Sequence, residues 1–315
     1  MVDFDYLAKG LYALSRAHHV NTMAGHLGAA VLAGYFIAEQ HPELDPQVCQ
    51  GIEGELNRII RGESAFSPGE KATISVAEMF EPSDREQPKE HLIDGIAEAL
   101  TGNIDRARQS GHNVIFAAIA IRALKKHPEF ATPSVTEGIR QLTLQFGDTT
   151  PGSGYYGQQR GRIDGREVLL PTDNAVPAYA DLRAMANVVM DEVIEHASEH
   201  RQGFGGLWHV INHAAALAEL ARHGYPELAT RGLAAHHQHI QLWKTLPDVS
   251  EELGPETPTE HDPRSAAFWQ AEDIRRDRAR LDHRIKTLYG FDALVDLVED
   301  EQRRKQANCG LRFLM

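Results

Sequence analysis

The chain has 315 residues, of which 42% are hydrophobic and 24% charged, so its composition is typical of a globular protein with a sizeable core. Its formal net charge of −13, from 32 Lys and Arg against 45 Asp and Glu, argues against a surface for nucleic acid or for an anionic membrane. The N-terminus lacks the pattern of a signal peptide, no apolar run is long enough to span a bilayer, and Cys49 and Cys309 form no C-x-x-C pattern. We therefore expect a cytoplasmic protein without membrane attachment.

Apolar residues recur at spacings of three and four along most of the chain, which predicts an all-α fold. The predicted helices are 3–20, 25–40, 45–61, 88–101, 112–126, 133–146, 177–200, 206–223, 226–243, 264–288 and 290–306. Three stretches, 62–87, 147–174 and 246–263, break the pattern and are predicted as loops. Within 147–174, the Asp164-Gly165 dipeptide lies between two short extended runs and predicts a small β-hairpin across residues 162–168.

An internal repeat organises these helices. In each of three copies an Ala-rich helix starts near a histidine, ends at a junction that contains proline, and is followed by a second helix. The histidine and the junction proline of each copy are His26 and Pro42, His112 and Pro128, and His209 and Pro226. Because proline cannot continue the first helix and fits the start of the next, each copy is predicted to be a helical hairpin.

Helical hairpins of this size either stack as an open solenoid or close into an α/α toroid. The helices that follow His26 and His112 are apolar on nearly all sides, which suits an inner ring that is covered on both faces. We therefore predict a single all-α domain over residues 1–315, an α/α toroid-like array of helical hairpins with a small β-hairpin insertion. Repetition about one axis would bring His26, His112 and His209 together at one end of the inner helices.

His209 and His213 are four residues apart, so they share one face of a helix, with Asn212 beside them. Two imidazoles in this arrangement can chelate a divalent metal such as zinc or iron, with a further ligand from another helix. The alternatives are that the same side chains line a polar pocket or make structural hydrogen bonds. We predict a catalytic role for His26, His112, His209 and His213, as acid/base groups or around a metal held by His209 and His213, and a substrate-binding role for Asn212.

The 147–174 segment is too long for a simple connection, and long loops in compact domains are often functional. It carries aromatic rings that can cover an apolar ligand and guanidinium groups that can meet a carboxylate or a phosphate. The substrate-binding residues predicted there are Tyr155, Tyr156, Arg160 and Arg162. We therefore predict an inserted, lid-like loop; a mobile surface insertion is the alternative.

The segment Leu207–His213, the Ala-rich helix after it and the stretch 226–237 resemble the repeated helical blocks of the questin oxidase-like family. Residues 21–30 and 283–286 are similar to the same blocks. The resemblance implies an all-α oxidoreductase, because the named member of that family opens an anthraquinone ring with NADPH and oxygen. NADPH is expected on this basis alone, and no catalytic residue is carried over. The sequence departs from the family in its Pro-Glu-Leu type junctions and its Gly- and Arg-rich insertion.

The sequence thus predicts an enzyme with a histidine-lined central cavity that acts on a small, mostly apolar organic substrate, by oxidation if the resemblance holds. Two alternatives stay open: a metal-free lyase or isomerase in which histidine moves protons, and a non-catalytic helical-repeat binding scaffold. A scaffold has no need of buried imidazoles, each of which must be hydrogen-bonded, so the enzyme is favoured. We expect a small-molecule substrate, no nucleic-acid or membrane partner, and leave a homodimer open.

Overall fold

The computed structural model of the protein describes residues 1–69, 71–170 and 176–315. This part of the chain is mostly helical, as predicted, and contains one two-stranded antiparallel sheet. The helices are α1 (Asp5–Arg16), α2 (Gly25–Gln40), α3 (Pro46–Ile60), α4 (Val76–Phe80), α5 (Ile93–Thr101), α6 (His112–Lys126), α7 (Pro133–Leu144), α8 (Leu182–His196), α9 (Gly206–Arg222), α10 (Pro226–Lys244), α11 (Ser250–Leu253), α12 (Ala266–Gln270), α13 (Glu272–Arg276), α14 (Leu281–Val295) and α15 (Glu301–Leu311). The strands are β1 (Ser153–Tyr155) and β2 (Arg162–Asp164). None of the described helices combines the length and the apolar character needed to cross a bilayer.

The chain divides into two compact units. The first consists of Met1–Leu100, Phe116–Gln145 and Glu260–Tyr289, and the second of Thr101–Ile115, Phe146–Thr259 and Gly290–Met315. The division falls inside α6, after Ile115, and inside α14, after Tyr289. The toroid and the single domain over the whole chain remain predictions.

In the first unit, α2 is the central helix and packs against α1 and α3, while α1 also packs against α7. Every residue of α2 from Gly25 to Ala38 is buried, as its uniformly apolar sequence predicts. The close approach of α1 depends on Gly28, because a Cβ added there would lie 2.5 Å from the backbone nitrogen of Leu14. This packing buries His26, in the first turn of α2, completely.

In the second unit, α9 packs against α10 and α8, and α8 packs against α15. Thirteen residues of α9 are buried, including His209 and His213. Two buried histidines on such a helix must find hydrogen-bond partners inside the protein, because burial removes them from water. Both histidines of the predicted pair therefore lie in the interior of the second unit.

The three predicted copies each contain two successive helices, but the prediction for the junction prolines is wrong in the first two. Pro42 lies in a turn and Pro128 begins a short 3-10 helix (Pro128–Phe130), whereas α3 and α7 begin at Pro46 and Pro133. The side chains of Asp45, before Pro46, and of Thr132, before Pro133, each accept a hydrogen bond from a backbone N–H in the first turn of the helix. This side-chain cap fixes where the helix starts. Pro226 begins α10 as predicted.

The predicted helices 264–288 and 290–306 are also wrong. Residues 264–280 contain only the short helices α12 and α13, and α14 runs without a break through residue 289, where the gap was predicted. The side chain of Asp277 accepts hydrogen bonds from the backbone of Ala279 and Arg280, and that of Asp300 accepts one from Arg303. These local caps compete with continued helix and place the breaks at other positions than periodicity suggests.

The small β-hairpin is present, but its strand pairing differs from the prediction. β2 pairs with β1, upstream of it, with Ser153 opposite Asp164, Gly154 opposite Ile163 and Tyr155 opposite Arg162. The connection of residues 156–161 contains Gly157 and Gly161, both with positive φ. Asp164 ends β2 because its carboxylate accepts a hydrogen bond from the backbone nitrogen of Arg166, at 2.9 Å. Residues 171–174 of the predicted 147–174 loop lie outside the described residues.

Candidate functional site

Five histidines of the second unit have buried side chains, with exposed fractions between 0% and 6%. They are His112 in the first turn of α6, His209 and His213 in α9, and His236 and His239 in α10. We call this group the histidine cluster. A buried imidazole without a partner is costly, so the hydrogen bonds of each ring show which nitrogen carries a proton.

The loops that precede α6 and α9 have backbone in the left-handed region. The residues with positive φ are Gln109, Ser110 and Gly111 in the first loop, and Gly203, Phe204, Gly205 and Gly206 in the second. A left-handed conformation costs a residue with a side chain roughly 1–2 kcal/mol, so three such residues next to the cluster represent stored strain. Strain of this kind is typical of functional sites and persists only where the surrounding structure enforces it.

Two of these glycines are required because an imidazole ring lies directly against them. A Cβ on Gly111 would come within 2.5 Å of Cγ of His213, and one on Gly205 within 2.3 Å of Cγ of His209. Real Cβ atoms do not approach other atoms so closely, so no other residue fits either position without displacing the ring. Each loop is therefore shaped around one imidazole of α9.

The hairpin segment of residues 150–155 holds both loops, and we call it the brace. Its backbone hydrogen bonds are Gln109 N to Thr150 O at 2.7 Å, Ser110 N to Pro151 O at 2.9 Å, Phe204 N to Ser153 O at 2.9 Å, and Tyr155 N to Gln202 O at 2.8 Å. Gly154 also bridges to Gly203. One segment thus fixes the backbone in front of α6 and α9.

His112 and His209 meet through their Nε2 atoms, which lie 2.9 Å apart. The Nδ1 of His209 donates to the carbonyl of Gly205 at 2.6 Å, and the Nδ1 of His112 donates to the carbonyl of Gln109. A carbonyl oxygen only accepts, so Nδ1 carries the proton in both rings. In the neutral form both Nε2 atoms then present a lone pair to each other, and this contact is favourable only with positive charge, a proton or a metal ion, between them.

His213 ends a chain of hydrogen bonds that starts at the Phe204 carbonyl and passes through His239. The Nε2 of His239 donates to the carbonyl of Phe204 at 2.8 Å, so the Nδ1 of His239 accepts a hydrogen bond from the Nδ1 of His213 at 3.3 Å. This leaves the Nε2 of His213 as an oriented lone pair, and it has no hydrogen-bond partner among the described residues. Burial, followed by the charges of neighbouring histidines, lowers the pKa of His213 well below its usual value, so the ring is neutral.

His236 and Tyr179 complete the cluster on the side of α10. The Nε2 of His236 donates to the carbonyl of Val210 at 3.0 Å, and its Nδ1 accepts from the hydroxyl of Tyr179 at 3.2 Å. Burial lowers the pKa of His236 to about 3 and that of His239 to about 4, and it raises the pKa of the Tyr179 phenol. These three side chains are neutral at pH 7 and act as hydrogen-bonding supports.

The structure places the predicted catalytic histidines in different contacts. His209 is paired with His112 and His213 with His239, so the described nitrogen-to-nitrogen contacts join different helices rather than the two histidines of α9. His26 belongs to the first unit, where the amine of Lys286 is hydrogen-bonded to its Nδ1. A metal at His209 and His213 and a common centre with His26 remain predictions.

The predicted substrate-binding residues are engaged with protein groups or exposed. Asn212 is buried, and a Cβ on Gly290 would lie 2.5 Å from its Oδ1. In the predicted lid, the hydroxyl of Tyr155 donates to Glu252, that of Tyr156 contacts Thr245 at 2.6 Å, Arg160 lies over the ring of Tyr156, and Arg162 is exposed. The described part of the segment serves as the brace of the histidine cluster, and its role as a lid stays a prediction.

Comparison of the chain with protein-family models, with curated proteins and with solved structures gives no match. The resemblance to the questin oxidase-like family therefore stays a prediction. His236, His239 and Tyr179 are not among the predicted site residues. The available signal for the first two was their i,i+3 spacing on one face of α10.

Proposed function

We propose that this protein is an enzyme whose second unit acts on a small, mostly apolar organic substrate through the His112–His209 pair and His213. The observation that carries the proposal is the 2.9 Å contact between two Nε2 atoms whose rings are both fixed by Nδ1–H donation to backbone carbonyls. The same arrangement is common around protein metal ions, where a carbonyl bound at one nitrogen orients the other toward the metal.

We infer that the pair supplies two ligands to a divalent metal ion of the zinc or iron type. The two Nε2 atoms lie 2.9 Å apart, and both rings are fixed with the Nε2 lone pair toward the other ring, so these two atoms would hold such an ion between them. A metal with open positions supplies Lewis-acid chemistry to a bound substrate oxygen. A proton shared between the two rings is the other cation that fits the contact.

His213 supports a proton-transfer step. It is buried and neutral, and the chain of hydrogen bonds from the Phe204 carbonyl through His239 leaves its Nε2 available to accept a proton. A base of this kind serves an oxidoreductase, the reaction class favoured by the family resemblance. It equally serves a metal-free lyase or isomerase, which is the second candidate function.

The metal is tested by elemental analysis of protein purified without a histidine tag and by the visible spectrum after loading with Co²⁺. We expect one bound metal ion per chain, and at least a tenfold loss of affinity in His112→Asn and in His209→Asn. His223→Asn, at the far end of α9, is the matched control and should retain the metal. Absence of metal together with an imidazolium signal in ¹⁵N NMR would show that the pair shares a proton instead.

The reaction class is tested with a panel of hydroxylated anthraquinones and simpler aryl ketones. Oxygen uptake with NADPH, and product masses, report oxidation; anaerobic reactions without NADPH report elimination or isomerisation. In either arm, His213→Asn is expected to lower kcat at least tenfold while the far-ultraviolet circular dichroism stays unchanged. Lack of turnover in both arms, combined with ligand binding that is unaffected by the histidine variants, would favour the scaffold.

A further inference from the structure

The first unit contains a second group of buried polar side chains, which the proposed function does not use. Lys286 on α14 is 3% exposed, and its amine donates a hydrogen bond to Nδ1 of His26, which is fully buried. The ring of Phe66 stacks on that imidazole at 3.7 Å with the planes 10° apart, and the ring of His283 meets it edge-on at 5.1 Å. The amine is thus held among aromatic rings rather than in water.

Asp282 lies one helical turn before Lys286 on the same face of α14 and is also buried. Its Oδ2 accepts a hydrogen bond from the hydroxyl of Ser64 at 2.6 Å, whereas its Oδ1 is buried without a partner in the part of the chain that the structure describes. The Ser64 hydroxyl in turn accepts a hydrogen bond from the backbone nitrogen of Phe66 at 3.0 Å. One loop therefore positions both the ring that stacks on His26 and the carboxyl group near the amine.

The protonation of these groups suits a nucleophile. Burial lowers the pKa of the Lys286 amine to about 7, against the smaller opposing attraction of Asp282. Burial raises the pKa of Asp282, again against the attraction of Lys286. The titratable groups around the amine are His26, which is hydrogen-bonded to it, Asp282, whose charge acts on it, and His283, whose ring meets that of His26. A lysine activated by burial, with an acid and an imidazole nearby, is the arrangement in which lysine attacks carbonyl compounds.

We propose that Lys286 is a second reactive centre of the protein, at which its amine forms an imine with a small, uncharged aldehyde or ketone, while His26 and Asp282 transfer the protons. The nitrogen lone pair attacks the carbonyl carbon, a C–N bond forms, and the carbonyl π electrons move to oxygen. His26 relays one proton from nitrogen to that oxygen. Protonation of the resulting hydroxyl by Asp282 releases water, and the iminium returns a proton to Asp282. One amine and one carbonyl thus give one imine and one water, with no redox change.

The test is reductive trapping in the intact wild-type protein with acetaldehyde and sodium cyanoborohydride at pH 6.5, followed by peptide mass spectrometry. At this pH the neutral fraction of an amine with a pKa of about 7 exceeds that of an ordinary lysine by roughly a thousandfold. We expect Lys286 to be alkylated first, with Lys126, a more exposed lysine of the same unit, as the internal reference. A parallel reaction in urea shows that the Lys286 peptide is detected.

Asp282→Asn and His26→Gln separate the proton-transfer roles from simple accessibility. Each variant is expected to slow alkylation of Lys286 at least tenfold relative to Lys126, with the circular dichroism spectrum unchanged. Alkylation of Lys126 with none at Lys286 in the native wild-type protein, but with both labelled in urea, would overturn the proposal. Because the decisive measurement uses the wild-type protein, it does not depend on whether a variant folds.

Discussion

The two units bury basic side chains in opposite surroundings. In the second unit, imidazoles are held by backbone carbonyls from two strained loops: His112 is bonded to Gln109 and His209 to Gly205. In the first unit, the amine of Lys286 is hydrogen-bonded to the imidazole of His26 and lies near the carboxyl group of Asp282. Carbonyls fix a tautomer without supplying charge, whereas Asp282 favours the charged amine and only partly offsets burial. Burial in the second unit keeps His236 and His239 neutral at pH 7, whereas the Lys286 amine in the first unit, with a pKa of about 7, is close to half-protonated there.

The largest expected effect concerns His236 and His239 at acid pH. Both have a lowered pKa in the folded protein, about 3 and about 4, so the unfolded chain binds protons first as the pH falls below about 6.5. Their contribution to stability is present above pH 6.5 and is lost toward pH 4, by about 3 kcal/mol for each. Urea unfolding from pH 7 to 4 measures this loss.

The variant His236→Gln removes one titrating ring while retaining an N–H donor for the Val210 carbonyl. Its free energy of unfolding should therefore fall less steeply with acid than that of the wild type. His91→Gln, which changes an exposed histidine, is the control. Parallel pH profiles for wild type and His236→Gln would show that His236 does not titrate on unfolding.

The next effect concerns Lys286 at alkaline pH. Because its pKa is lowered to about 7, the unfolded chain binds the extra proton between pH 7 and 10.5, and stability rises with pH in that window. The expected rise from pH 7 to 10 is about 3–4 kcal/mol. Lys286→Met should remove it, and Lys126→Met should leave it in place. If the free energy of unfolding of Lys286→Met rose with pH as steeply as that of the wild type, another group would be titrating. The contrast between the buried lysine of the first unit and the buried histidines of the second would then be weaker.

A smaller effect on the free energy of unfolding is expected at Gly205, which lies against the ring of His209. Gly205→Ala adds a Cβ 2.3 Å from the ring and also forces alanine into a positive φ of 73°, so it should cost about 3 kcal/mol or more. Gly224→Ala has a positive φ of 97° but no atom within 4 Å of the added Cβ, so it isolates the backbone cost of about 1–2 kcal/mol. Equal losses in urea unfolding would mean that the ring moves aside freely.

The smallest effect is expected at the edge of the brace. Tyr156→Phe removes the 2.6 Å contact between the hydroxyls of Tyr156 and Thr245 and should lower the free energy of unfolding by about 1 kcal/mol or less. Metal binding at the histidine cluster should not change, because the backbone bonds of the brace remain. A variant that loses substrate affinity with unchanged stability would instead support a lid function for Tyr156.

Helical periodicity was sufficient to place α2 and α6 at their observed bounds and to identify His209 and His213 as buried. It could not show that their partners are His112 and His239, because contacts between helices depend on packing and not on spacing within one helix. The left-handed residues Gln109 and Ser110 carry no sequence signal of the kind that glycine gives. The Lys286 amine was missed for a related reason: its character comes from burial against His26, 260 residues away in the chain.

The brace also determines when the histidine cluster can form during folding. Residues 150–155 bond to the loop at 109–111 and to the loop at 202–204, so the cluster depends on contacts between three distant stretches of sequence. Closing such long loops is entropically slow, whereas single helices form in microseconds. The ribosome must therefore have released the chain through His239 of α10 before the complete cluster can assemble.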